Sequence, residues 1–167
     1  MFQCGDLVVY GIHGVCRILE LENRKIDKTK KEYFVLEPID QKGARFYVPT
    51  QNEAAVSKLR PVISQQELTE LLKSEDSYTD SWIEDENQRK QYYRNLISSG
   101  DRGALIRMVH TLHLRKSALV AAGRKFHLCD ENFLRDAQKL LGSEISLVMN
   151  IELEQVGSYV KKIMLEK

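Results

Sequence analysis

The chain has 167 residues, of which 43% are hydrophobic and 29% charged, and its formal net charge at pH 7 is +1. This composition is ordinary for one or two folded domains and excludes an intrinsically disordered chain. No run approaches the roughly 18 apolar residues of a membrane span, and three cysteines that are never spaced C-x-x-C exclude a disulfide framework.

Five segments rich in Val, Ile, Tyr and Phe fill the chain up to Arg60. They are LVVY (7–10), GVCRILEL (14–21), EYFVLEPI (32–39), ARFYVP (44–49) and AAVSKLR (54–60). Gly11 and Gly14 bracket a tight turn, residues 27–31 form a charged hairpin loop, and Gly43 occupies a turn position that favours positive φ. Strands this short and this closely spaced predict a small β-barrel.

The fourth predicted strand has one face for the core and one for solvent. Because side chains alternate along a strand, Phe46 and Val48 share one face, and Arg45 and Tyr47 share the other. We expect the first pair to pack in the core and the second pair to be available to a partner.

After Pro61 the apolar residues follow a helical period. Ser64, with Glu67 three residues later, forms a capping box that opens a helix over residues 65–73. The polar segment 74–81 follows and predicts a linker.

A second helix is expected to begin at Asp80 or Ser81 and to run to about Ser98, and Asp101 is a good N-cap for the helix after it. Apolar residues of that next helix form one stripe at the helical period. They are Leu105, Met108, Val109, Leu112 and Leu119.

Two more helices complete the chain. Asp130 is the predicted cap of a helix over residues 131–149, and residues 152–164 supply a last short helix. The patterns together predict an α+β chain of two domains. A five-stranded β-barrel over residues 1–61 is followed by an all-α helical bundle over residues 62–167.

The common signatures of catalysis are absent. The chain has no P-loop and no G-x-G-x-x-G, H-E-x-x-H or G-x-S-x-G motif, so we expect neither an enzyme nor a cofactor. The best candidate for zinc is His110 and His113, one helical turn apart, followed by His127 and Cys129. Nearby cations disfavour a divalent ion there, so we expect no metal site.

Residues 102–129 carry six Lys or Arg side chains and no acid. The six are Arg102, Arg107, Arg115, Lys116, Arg124 and Lys125, and Lys90 and Arg94 add to them from the preceding helix. Such a surface suits phosphate contacts, although a solvated face with its counter-charges elsewhere in the fold is the alternative. An acid-free run of this length favours an anionic partner.

Trp82 is the only tryptophan and opens a polar segment. A core tryptophan would lie in an apolar stripe, whereas on a helix Trp82 would have Asp85 and Glu86 one turn away. Two interpretations follow. Trp82 is either exposed beside the basic surface, where it could stack on an unpaired base or wedge into a groove, or partly buried.

Segments throughout the chain resemble the CarD/CdnL family of bacterial RNA polymerase-binding transcription regulators. They are GDLVVYGIHGVCRI (5–18), EYFVLEP (32–38), FYVP (46–49), WIEDENQRKQYYRNLISSGD (82–101) and LHLRKSALVAAGRKFHLCDENFLRDAQKLL (112–141). The G-D-x-V-V-Y-x-x-H-G-V opening and the tryptophan followed by a basic helix and S-G-D are the most specific motifs. Transcription-repair coupling helicases share the barrel, but this chain has no P-loop for a motor.

The resemblance implies a Tudor-like (SH3-like) barrel that docks on the RNA polymerase β subunit. It also implies a helical domain that holds promoter DNA at the upstream edge of the −10 bubble. In that picture Trp82 enters the minor groove and helps to stabilise the open complex. Counted back from Ser99-Gly100-Asp101, Trp82 lies one helical turn earlier than the tryptophan of the best-known members.

The resemblance also assigns residues to partners. Arg24 matches a family arginine that faces the β subunit, and Arg45 and Tyr47 lie on the strand that does the same, with Tyr47 in place of a second family arginine. The predicted DNA-binding residues are Trp82, Arg89, Lys90, Arg115, Lys116, Arg124 and Lys125. Arg89, Lys90, Arg115 and Lys116 match basic positions of the family, and Arg124 and Lys125 belong to the acid-free segment.

The expected protein is a monomeric regulator that reads little base sequence, because a basic surface with one stacking residue contacts few base edges. The residues after Met1 do not form a signal peptide, so we expect a cytoplasmic protein associated with the nucleoid through the polymerase. The alternative is an interaction adaptor in which Trp82 is a hot spot for another protein and DNA is not bound.

Overall fold

The computed structural model describes residues 2–74 and 80–165, with side chains described up to residue 163. The chain divides into two compact units, Met1–Val62 and Ile63–Lys167. Within the described ranges, no helix combines the length and the apolar character of a membrane span.

The first unit contains a five-stranded antiparallel sheet in the order β4-β3-β2-β1-β5. Its strands are β1 (Leu7–Tyr10), β2 (Val15–Ile26), β3 (Thr29–Pro38), β4 (Phe46–Pro49) and β5 (Leu59–Pro61). The five strands in the described part of this unit confirm the predicted number, and the sheet is consistent with a Tudor-like domain.

The hairpin between β2 and β3 is tighter than predicted. Asp27 and Lys28 both adopt positive φ, of 50° and 66°, and reverse the chain within two residues. Such a turn matches the right-handed twist of the flanking strands. The predicted loop over residues 27–31 is therefore wrong, because pairing with β2 already begins at Thr29.

Residues 54–60, predicted as one strand, form two elements instead. Helix α1 (Glu53–Val56) begins after Asn52, whose side chain accepts a hydrogen bond from the main-chain N–H of Ala55. This N-cap, followed by two alanines of high helix propensity, favours a helical turn. Only the end of the segment joins the sheet, as part of β5.

The core of the first unit is one cluster of buried side chains. They are Val8, Cys16, Ile18, Phe34, Leu36, Val48 and Leu59. As predicted, Val48 is buried and Phe46 packs against the cluster, while Tyr47 keeps 37% of its surface exposed. Burial of the Cys16 thiol, with a smaller contribution from the charge of Asp40, raises the pKa of that thiol to about 12.

The described residues of the second unit form helices and no strand. The elements are α2 (Gln65–Lys73), α3 (Glu86–Ser99), α4 (Arg102–Ala121), α5 (Leu128–Met149), a 3₁₀ turn (Leu153–Gln155) and α6 (Val156–Leu165). Ser64 and Glu67 form the predicted capping box. Gly100 ends α3 in the left-handed conformation, and Asp101 caps α4 as predicted.

Two predicted helix starts are wrong. The N-cap of α3 is Asp85, and neither Asp80 nor Ser81 caps it. The N-cap of α5 is His127, so Asp130 lies inside that helix. Asp80 and Asp130 are both engaged elsewhere, because each accepts a hydrogen bond from a side chain of α3.

Two clusters of buried apolar side chains hold the helices together. The first contains Tyr93, Leu105, Met108, Leu112, Leu134 and Ala137, and the second contains Leu68, Leu72, Ile106, Ile145 and Val156. Most of the predicted stripe of α4 thus lies in the first cluster. A buried carboxylate, Glu144 of α5, joins α5 to α4 through an ion pair with Arg102, with 2.6 Å between Oε1 and Nη2.

Candidate nucleic-acid and polymerase interfaces

Trp82 lies in the segment before α3, because that helix begins only after Asp85. The indole is partly buried and packs against the first helical cluster. Of the two interpretations that the sequence left open, the structure thus supports partial burial. The expected helical relationship of Trp82 to Asp85 and Glu86 is wrong, since residues 82–84 are not helical.

Two arginines lie over the indole. The guanidinium carbon of Arg89 is 4.6 Å from the ring centroid of Trp82, and that of Arg115 is 5.0 Å from it. Both distances are those of cation–π contacts, in which a guanidinium is attracted to the negative face of an aromatic ring. Three predicted DNA-binding residues therefore meet at one point of the second unit, which we call the indole site.

Arg89 is buried, with only 6% of its surface exposed. Its Nε and Nη2 donate to the two carboxylate oxygens of Asp130, at 2.9 and 3.0 Å. Its Nη1 donates to the main-chain carbonyls of Ile83 and Glu84, at 3.0 and 3.3 Å. Burial alone would lower the pKa of Arg89, but the hydrogen bond and the charge of Asp130 outweigh it and raise the pKa.

Arg115 is held differently. The residue is partly buried, and its Nε, although buried, has no hydrogen-bond partner within the described ranges. A buried N–H without an acceptor is unfavourable. Arg115 would therefore gain a hydrogen bond from any acceptor that reached it, whereas Arg89 already has acceptors on all sides of its guanidinium.

Other predicted cations are paired with acids that lie outside the acid-free segment. Lys90 pairs with Glu86 (2.7 Å), Lys116 with Glu131 (2.9 Å) and Arg102 with Glu144 (2.6 Å). The hydrogen bond with Glu86 raises the pKa of Lys90. Arg124 and Lys125 are exposed in the connection between α4 and α5. The fold thus supplies counter-charges to part of the basic surface and leaves the rest in solvent.

The possible zinc ligands are not gathered. His113 is hydrogen-bonded to Gln138, with 2.6 Å between the two nitrogens, and His127 caps α5 by accepting from the N–H of Cys129. Burial, followed by the charges of Lys116 and His110, lowers the pKa of His113. In the described part of the chain, no three His, Cys, Asp or Glu side chains are placed to share a metal ion.

The residues predicted to face the polymerase lie in the first unit. The guanidinium carbon of Arg24 on β2 is 4.1 Å from the ring centroid of Tyr47 on β4, and Arg24 also pairs with Glu22 at 3.0 Å. Arg45 is exposed and forms an ion pair with Glu37. The main-chain N–H of Gly43, followed by Arg45, lowers the pKa of the Glu37 carboxyl. The side chains of Arg24 and Tyr47 therefore form one contiguous patch on the surface of the first unit.

Two family models match the chain. One, described as a CarD-like/TRCF RID domain, matches residues 2–63, and the other, described as the CarD C-terminal domain, matches residues 67–161. The chain belongs to the CarD family. CarD proteins are regulatory and not enzymatic, and the two CarD matches make this chain an RNA polymerase-interacting transcription regulator.

Sequence reasoning missed Asp130 as a member of the indole site of this CarD protein. Its partner Arg89 is 41 residues away in the sequence. The residues next to Asp130 instead indicate a helix N-cap. One signal was available. A carboxylate in the first turn of a partly apolar helix is a candidate for a buried ion pair with an arginine of another helix.

Proposed function

We propose that this CarD-family protein holds the RNA polymerase β subunit with its first unit and promoter DNA with its second. It would bind the DNA at the upstream edge of the −10 bubble and so stabilise the open complex. The observation that carries the proposal is the indole site, where a partly buried tryptophan lies under two guanidinium groups.

The indole site suits the junction between duplex and melted DNA. An indole can stack on an unpaired base or enter a widened minor groove, and guanidinium groups around it can contact the flanking phosphates. Exposed Arg124 and Lys125, together with the surface-paired Lys90 and Lys116, would extend the phosphate contacts. Surface ion pairs contribute little free energy, so phosphates can displace their acids.

The first unit offers the polymerase a charged and aromatic surface. Arg24 stacked on Tyr47 presents a cation and a ring that already support each other, and Arg45 lies just before the same strand as Tyr47. Tyr and Arg are enriched among the residues that dominate protein–protein affinity. We assign these three residues to the β-subunit contact.

Stabilisation of the open complex follows from differential affinity. A ligand shifts an equilibrium only to the extent that it binds one state better than the other. A site built around an indole gains its stacking contact only when bases are unpaired, so the protein would favour the melted promoter. Its binding to DNA would be largely independent of base sequence. The protein would act as a monomer, and it would be cytoplasmic, because the polymerase and the promoter are there.

The test is the lifetime of a polymerase–promoter open complex after a competitor is added, with and without the protein. We expect a longer lifetime with the wild type and no extension with Trp82→Ala. An equal lifetime with and without the wild-type protein would contradict the proposal.

One observation favours the alternative, a protein-binding adaptor. Val120 and Leu128, on the two sides of the connection that carries Arg124 and Lys125, are 61% and 72% exposed. Exposed apolar side chains next to cations are also typical of protein interfaces. Salt dependence separates the two functions, because DNA binding weakens steeply with salt and an apolar protein contact does not.

A further inference from the structure

The indole site contains two arginines that make different bonds. Within the described residues, the contacts of the Arg89 side chain are internal: a bidentate pair with Asp130, two main-chain carbonyls and the face of Trp82. Asp130 is equally buried, with 3% of its surface exposed. Arg115, over the same ring, has a buried Nε with no acceptor within the described ranges.

We propose that Arg89 and Asp130 are a positioning pair that fixes Trp82 before DNA arrives. Arg115 is the cation of the indole site that turns to a DNA phosphate. This inference rests on the proposed function and assigns different parts to two arginines that the sequence treats as equivalent DNA contacts.

The pair fixes Trp82 through the main chain next to it. The carbonyls of Ile83 and Glu84 both accept from Nη1 of Arg89, so the two residues after the tryptophan are tied to α3 although they are not helical. Asp130 in turn ties the guanidinium to α5. Bidentate, charge-assisted hydrogen bonds fix the plane of the Arg89 guanidinium. The indole of Trp82 packs against that plane, so its orientation is fixed as well.

Prior fixation matters for affinity. A side chain that is ordered before binding does not lose rotamer freedom on binding, so more of the stacking energy appears as affinity. The pair should therefore affect the preference for melted DNA and not the number of phosphates contacted. Arg115 should affect the number of phosphates contacted.

The experiment measures binding of the full chain to a forked DNA and to the matching duplex over a range of salt concentrations. The variants are Arg115→Gln, Arg89→Lys and the double variant Arg89→Met with Asp130→Leu. The double variant replaces the buried pair by apolar side chains, an exchange that commonly preserves folding. Arg135→Gln removes an exposed arginine of α5 and is the matched control.

We expect Arg115→Gln to reduce the slope of log affinity against log salt by about one, the amount for one lost phosphate contact. We expect Arg89→Lys and the double variant to keep the wild-type slope and to lose about tenfold of the fork-over-duplex preference, within the range of one stacked base. Arg135→Gln should keep both the slope and the preference. Thermal unfolding and Trp82 fluorescence establish that each variant is folded.

The outcomes distinguish this inference from the proposed function. If Trp82→Ala keeps the full fork preference, the proposed function fails. If Trp82→Ala loses that preference but the folded double variant keeps it, the positioning pair is disproved and the function stands. A slope lowered by about one in the folded double variant, which removes the charge of Arg89, would make Arg89 a phosphate contact and would also overturn the inference.

Discussion

Glu144 of α5 accepts hydrogen bonds from Arg102 of α4 and from the main-chain N–H of Ile63, which comes just before the N-cap of α2. One carboxylate, with 5% of its surface exposed, therefore connects three parts of the helical unit. A buried carboxylate is stable only when it is paired and hydrogen-bonded, and here both conditions are met.

The first prediction follows from this contact. Glu144→Ala leaves the mostly buried Arg102 without its carboxylate and should lower the free energy of unfolding by about 3 kcal/mol. Urea denaturation followed by circular dichroism measures the change. Glu131→Ala, which removes the exposed partner of Lys116, should cost less than about 1 kcal/mol. Equal losses of unfolding free energy in the two variants would show that removing the buried Glu144 is no more destabilising than removing an exposed carboxylate.

Trp82→Ala should weaken binding to forked promoter DNA by about tenfold, within the range of one lost stacking contact. Polymerase binding should stay at the wild-type level, because Arg24, Arg45 and Tyr47 lie in the other unit. Fluorescence anisotropy with labelled forked DNA and a pull-down of polymerase measure the two quantities. Trp82→Phe, which keeps a ring, should retain part of the affinity.

Arg24→Glu should have the reverse effect. It removes the guanidinium stacked on Tyr47 and places a second carboxylate beside Glu22, so polymerase affinity should fall at least about tenfold, as for an interface hot spot. Binding to forked DNA should be unchanged. Lys25→Glu is the matched control because it makes the same charge change at the next residue of β2. The side chain of Lys25 points to the opposite face of the strand from that of Arg24. Loss of polymerase binding in both variants would indicate a general charge effect.

The buried thiol of Cys16 predicts a pH dependence of stability. Its pKa rises from 9.0 to about 12 on folding, so between these values the unfolded thiol is ionised while the folded thiol keeps its proton. The unfolded state then binds fewer protons, and the free energy of unfolding should fall as pH rises, by about 1.4 kcal/mol per pH unit.

Chemical denaturation at several pH values above neutrality measures this slope. Cys16→Ala should lose the thiol's share of the slope, whatever its effect on stability at neutral pH. Cys4→Ala, which alters an exposed thiol, should keep the wild-type slope. If the wild type and Cys16→Ala have the same slope, the thiol does not titrate as its burial requires.

Signals carried within a few residues predicted the fold well. The capping box of Ser64 and Glu67 and the cap at Asp101 both lie where the sequence placed them. Each depends on hydrogen bonds between residues three or four apart, which a sequence displays directly. The alternation of β4 was predicted because successive side chains of a strand point to opposite faces.

The failures come from contacts that are distant in sequence. Asp80 and Asp130 have the chemistry of N-caps but are engaged by side chains of α3, so the helices begin elsewhere. Arg89 has the chemistry of a phosphate contact but is buried against a carboxylate from another helix. A residue's type shows what it can bind, whereas its partner depends on which elements the fold brings together.

The joint between α3 and α4 is only two residues long, because Gly100 ends one helix and Asp101 starts the next. Arg89 lies on α3 and Arg115 on α4, so this joint connects the two helices that carry the guanidinium groups of the indole site. Gly100 has φ of 63°, a left-handed backbone angle that costs most residues with a Cβ about 1 kcal/mol and glycine nothing. A single methyl group added at that joint would thus weaken the turn between the two arginine-bearing helices without altering any residue of the indole site.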